Sequence, residues 1–177
     1  MLKKAFSLIL IISALGYSSC KKEEEVQPPS EVNNHITFNA DGDLLELKFS
    51  VLLQDPVFNA YYVDAESIDM QRLKENGNPQ RLVFALDRID LENTNLPITI
   101  HYSTNFNEPT VSVTYVDDSN TPFGTNTNNG QDFMVTINEY SNNVINCSFN
   151  GTLYSGNQTN PSVEITNGEV NLELMEY

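Results

Sequence analysis

Two cysteines, two histidines and twenty-four carboxylates are the side chains of this 177-residue chain with chemistry for nucleophilic, metal or acid–base work. Cys147 lies in Ile145-Asn146-Cys147-Ser148-Phe149, where period-two alternation puts it on one face with Ile145 and Phe149. That pattern predicts a small buried apolar side chain, whereas a catalytic thiol needs a base beside it. Neither His35 nor His101 can be placed there by spacing, and in Ile100-His101-Tyr102 the alternation turns His101 away from the face of Ile98 and Ile100. No paired-histidine zinc spacing, G-x-S-x-G, P-loop or dinucleotide fingerprint occurs. An acid pair for glycoside hydrolysis would have to come from carboxylates among which nothing singles out two. The expectation is a protein that is not an enzyme and has no cofactor.

Calcium is the metal these residues suit best, because it accepts carboxylates and carbonyls from loops. Asp41-Gly42-Asp43 and Asp117-Asp118-Ser119-Asn120 are the best sources, making Asp41, Asp43, Asp117 and Asp118 candidate calcium ligands. Neither segment fits an EF-hand loop, and plain turns are the commoner use of such residues. Aromatics beside Asn and Ser in Asn59-Ala60-Tyr61-Tyr62, in the loop over residues 102–106 and at Phe123 have the composition of recognition surfaces. Tyr61, Tyr62, Phe106 and Phe123 are therefore candidate binding residues, the alternative being that strand aromatics pack into a core. Three Asn-x-Ser/Thr sequons, at Asn146, Asn150 and Asn157, follow from the Asn-rich composition.

The N-terminus is more explicit. Met1-Leu2-Lys3-Lys4 precedes an apolar run over residues 5–15, then Gly16-Tyr17-Ser18-Ser19 before Cys20, which is the secretory pattern of basic, apolar and small-residue regions. The run is too short to span a bilayer, which takes roughly 20 apolar residues, and it is apolar on all sides where a core helix would be amphipathic. The organisation expected is a signal peptide over 1–19, a tether over 20–34 containing Pro28-Pro29, and one domain over 35–177.

Leu15-Gly16-Tyr17-Ser18-Ser19-Cys20 resembles the bacterial lipobox, with Tyr17 where an aliphatic residue is usual. The resemblance implies cleavage after Ser19, diacylation of the Cys20 sulfur and acylation of its new amino group. Several chains on one cysteine anchor durably, since each buried methylene contributes about 0.8 kcal/mol and one chain alone binds marginally. Lys21-Lys22-Glu23-Glu24-Glu25 is similar to the charged signal after the cysteine in surface-exposed lipoproteins of Bacteroidota, its alternative being an ordinary charged tether. That implies an outer-membrane location, facing outward if Lys21, Lys22, Glu23, Glu24 and Glu25 are an export signal. The formal charge of −15, which loss of Lys3 and Lys4 takes two charges further to −17, argues against nucleic acid and anionic lipid as partners of the domain.

From Ile36 onward, short alternating runs rich in Val, Ile, Thr, Phe and Tyr are separated by Asn, Asp, Gly and Pro, the signature of antiparallel strands. Asp41-Gly42, Ser141-Asn142-Asn143 and Asn167-Gly168 are predicted hairpin turns, residues 117–131 a long polar loop, and Gly151 a bulge or a close backbone approach. Other predicted strands include residues 67–73, 81–91 and 110–116. No window sustains helical periodicity. The expected fold is an all-β sandwich or flattened barrel of about nine or ten antiparallel strands. The segments Met134-Val135-Thr136-Ile137-Asn138-Glu139-Tyr140, Ile145 through Leu153 and Val163 through Leu172 resemble a C-terminal motif of small Bacteroidota lipoproteins whose domains are largely of unknown function. The functional expectation is a lipid-anchored, non-catalytic binding or assembly module with a glycan or protein partner, the alternative being a calcium-dependent accessory protein or an enzyme acting on extracellular glycan.

Overall fold

The computed structural model describes residues 33–49, 59–75, 77–105, 107–125, 132–156 and 161–177. Cys20, Ser19, Lys21 to Glu25 and Phe106 lie outside the described residues. The described elements are twelve strands: β1 (His35–Ala40), β2 (Asp43–Leu47), β3 (Asn59–Tyr62), β4 (Ser67–Leu73), β5 (Arg81–Asp87), β6 (Ile98–His101), β7 (Thr110–Val116), β8 (Pro122–Gly124), β9 (Met134–Ser141), β10 (Val144–Tyr154), β11 (Ser162–Glu173) and β12 (Met175–Glu176). A single 3₁₀ turn, Val63–Ala65, is the one helical segment among them. The protein is all-β, as the alternation predicts.

Alternation makes the strands and aims them. β4 buries Ile68, Met70 and Arg72, and β5 buries Leu82, Phe84 and Leu86, while the residues between are exposed or partly exposed. One continuous sheet results, in the order β12-β3-β4-β5-β7-β8-β10-β11-β1-β2, with β9 paired to β10 and β6. All pairings are antiparallel except β12 with β3. The sheet curls over its own apolar face. Phe84 of β5 meets Phe149 of β10 edge-on at 4.9 Å although β7 and β8 separate those strands in the sheet, and Phe38 of β1 meets Tyr115 of β7 at 5.6 Å. Near its far edge, beyond β2, Leu73 N donates to Phe49 O at 2.8 Å and ties that end back to β4. The outcome is a half-barrel around one core, in which Phe149 touches Phe38, Phe84 and Phe133.

Two turns have the predicted form. Asp41 and Gly42 connect β1 to β2 with φ of 49° and 92°, and Asn142 and Asn143 connect β9 to β10 with φ of 50° and 64°, as two-residue hairpin loops with both central residues left-handed require. Asn167-Gly168 does not turn the chain: β11 runs through it without a break. Asn167 has φ of 52°, and the partner strands shift register there, β10 between Phe149 and Gly151 and β1 between Thr37 and Asn39. The physical reason for glycine is packing, since a Cβ at Gly168 would lie inside the Phe149 ring. Asn-Gly thus makes a bulge that bends a long strand around the core.

Gly151 meets its expectation: with φ of 140°, it lies against the backbone of Asp132 and Phe133, leaving no room for a Cβ. The predicted strand over 81–91 ends at Asp87, where Arg88, at φ of 62°, turns the chain. The predicted polar loop over 117–131 contains β8, and β8 and β12 take the strand count above nine or ten. Strands of two or three residues carry too few positions for alternation to reveal them.

Candidate functional site

The β1–β2 and β7–β8 connections come together at one rim of the sheet. Asp41 donates its backbone N–H to Glu164 O at 2.9 Å, and its Oδ1 accepts from Glu164 N at 2.8 Å, which clamps the β1–β2 turn onto β11. Asp117 Oδ1 accepts from Thr121 N at 2.7 Å, and Asp117 N donates to Thr121 O, closing the β7–β8 turn. The Asp117 bonds are the local ones that Asp makes in turns, whereas those of Asp41 reach a strand distant in sequence. Each leaves the other carboxylate oxygen of its Asp without a described partner.

Between the turns lies an open cleft of about 550 Å³. Asp41, Asp43, Asp117 and Asp118 line it, together with Lys74 and the exposed Leu44. Its buried lining includes Gln80, Tyr115, Phe123 and Val163. Phe123 of β8 stacks on Tyr115 of β7 at 6.3 Å, and Gln80 Nε2 donates to the Tyr115 hydroxyl at 2.8 Å. Burial raises the Tyr115 phenol above its ordinary value; the Gln80 hydrogen bond opposes this, and the charges of Asp117, Asp118 and Asp41 reinforce it. Gln80 Oε1 is buried and accepts no hydrogen bond among the described residues.

All four candidate calcium ligands therefore border one cleft, although a long stretch of sequence separates the two pairs. They do not draw together: among the described residues, no three His, Cys, Asp or Glu side chains are close enough to share a metal ion. Of the candidate binding aromatics, Phe123 lines the cleft as a largely buried ring. Tyr62 is exposed and stacks on Tyr177 at 5.6 Å, apart from the cleft lining. Tyr61 is a correction. It is fully buried, meets Tyr140 edge-on, and its hydroxyl accepts from Leu91 N at 3.0 Å, so it is a core residue with no surface to offer.

His101 is exposed at the end of β6 and borders a separate shallow depression with Glu108. Cys147 is buried beside Ile145 and Phe149, and burial pushes its thiol far above the ordinary range. Sequence reasoning missed Gln80, Tyr115 and Lys74. Tyr115 reads as a core position in an alternating strand, and nothing near Gln80 in sequence announces a site. No protein-family model, curated protein or solved structure matches the chain.

Proposed function

We propose that this protein is a lipid-anchored envelope protein whose β-domain is a non-catalytic binding module. The anchor rests on the basic and apolar head of the sequence and on Cys20 after Ser19. One structural observation supports the binding role: two turns, one closed by the bonds of Asp117 with Thr121 and the other clamped through Asp41 onto Glu164 of β11, hold four carboxylates around a cleft whose lining is partly aromatic and apolar. Recognition sites are commonly built this way, with polar groups on loops fixed by a rigid scaffold. His101 stands outside the cleft lining, which favours binding over acid–base chemistry there.

Two experiments test the reading. Membrane fractionation of the Cys20→Ala chain is expected to release it to the soluble fraction; full retention in the membrane would contradict lipidation. A glycan and protein-partner screen of the full chain in non-ionic detergent, with and without calcium, is expected to give binding that substitutions at the cleft reduce. The four carboxylates border one cleft without three of them meeting at a point, and the calcium arm of the screen tests whether the ligand is taken with or without that ion.

A further inference from the structure

We propose that the cleft bounded by Asp41, Asp43, Asp117 and Asp118 binds a flexible organic cation, protonated amines on a methylene chain, with Gln80 Oε1 as an acceptor at its base. The inference rests on the binding-module reading and names the ligand class.

Charge comes first. Four carboxylates face a single ammonium, that of Lys74, so the lining carries a formal charge of −3. The fields of Asp117, Asp118 and Asp41 all reach the Tyr115 hydroxyl, so the negative potential extends from the rim to the buried lining. Clefts walled by low-dielectric groups focus such a field on an entering cation.

Gln80 is the second, independent observation. It is 6 % exposed, its amide nitrogen is held by Tyr115, and its Oε1 is a buried acceptor with no donor among the described residues. Buried acceptors in native proteins are nearly always paired. Gln80 lines the same cleft as the carboxylates, so a donor carried by an entering ligand is the partner that Oε1 lacks among the described residues. An alkylammonium supplies three donors and no acceptor, the complement of a lining of carboxylates and a carbonyl oxygen.

Spacing and walls decide between cation types. The carboxylates border the cleft without any three converging, whereas calcium needs six or more oxygens at about 2.4 Å. Charges spread along a chain match carboxylates spread around a rim. Leu44, 75 % exposed, offers apolar surface to methylenes at a cleft whose other apolar lining, Leu45, Phe123 and Val163, is largely buried, and amphipathic cationic side chains use such surface.

The test is titration calorimetry on the full chain in non-ionic detergent, with spermidine, a lysine pentapeptide and calcium chloride as separate probes. Saturable binding of one or both amine probes is expected, and the tighter of the two distinguishes a free polyamine from lysine side chains of a protein. The Asp43→Asn/Asp118→Asn chain removes two exposed charges that make no described backbone hydrogen bond, and is expected to bind about tenfold more weakly. Gln80→Met is expected to weaken binding several-fold. Glu139→Gln/Glu173→Gln, with the same charge change outside the cleft lining, is expected to bind as the parent does. Circular dichroism confirms that each variant is folded; should Gln80→Met unfold, the exposed double variant decides. The proposal is overturned by no saturable amine binding, by equal weakening in both double variants, or by calcium binding that excludes the amines. If the amines fail while another ligand from the screen is lost on Asp43→Asn/Asp118→Asn, the inference falls and the binding module stands. If the screen is empty as well, both fall.

Discussion

Asp69, on β4 between the buried Ile68 and Met70, carries a cost that the fold imposes on a single side chain. Its side chain lies on the exposed face of the strand, and partial desolvation there, followed by the Asp87 carboxylate, raises its carboxyl above the ordinary value. The native state therefore holds this proton more tightly than the unfolded chain, so the ionised group destabilises above the carboxylate range and the penalty vanishes as the pH falls below it. Asp69→Asn is expected to raise the urea midpoint at about pH 7 and to leave it unchanged near pH 3; equal midpoints at both would contradict this. Cys147 is the opposite case, a group that burial makes inert. In the Cys20→Ala chain, where Cys147 is the sole thiol, a thiol reagent at about pH 8 is expected to label only the denatured protein. Labelling of the native chain at the rate of a free thiol would place Cys147 at the surface.

At the scale of elements, the hairpins show how far local chemistry reaches. In the β9–β10 turn both central residues are Asn in the left-handed region, Ser141 faces Val144 across it, and Asn-Gly is the more favourable pair for that geometry. Asn143→Gly is expected to raise stability by roughly 0.5 kcal/mol, read as a higher melting temperature with an unchanged spectrum. A lower melting temperature would mean that Asn143 makes a contact glycine cannot replace. Asp41-Gly42 was legible because its turn is specified by its own residues. Asn167-Gly168 has the same local signature and a different outcome, because the Phe149 ring needs the space over Gly168. That contact is fixed by the register of β10 on β11, in which Phe149 lies directly opposite Gly168. Phe149→Ala, which empties the junction with Phe38, Phe84 and Phe133, is expected to cost about 3–5 kcal/mol.

For the whole molecule, acidity is the dominant electrostatic fact. A formal charge of −15 repels itself in the compact state. The ion pair of Lys48 with Glu46, at 2.9 Å with both side chains about half exposed, does little to offset it. Raising ionic strength from about 10 mM to about 150 mM shortens the screening length from about 30 Å to about 8 Å. The melting temperature is expected to rise over that range; a fall would show that specific charge pairs outweigh the repulsion. Free amine cations and salt are expected to compete, because the cleft proposed to bind amines is part of the same negative field.

Read alone, the sequence determined the all-β class, the principal strands, the inward face of Cys147 and the outward face of His101. Each of these follows from alternation or from a turn written in adjacent residues, and needs no knowledge of distant contacts. The cysteine after a basic and apolar head belongs to the same kind of reading and carries the proposed anchor. Tertiary structure alone decided that Asp41 and Asp43 face the same cleft as Asp117 and Asp118, that Tyr61 is core while Phe123 lines the cleft, and that Gln80 and Tyr115 lie beneath the carboxylates. Those facts depend on how far the sheet curls and which turns its rim brings together. That is set by the packing of Phe38, Phe84, Phe133 and Phe149 across the core, a property of no single stretch of chain.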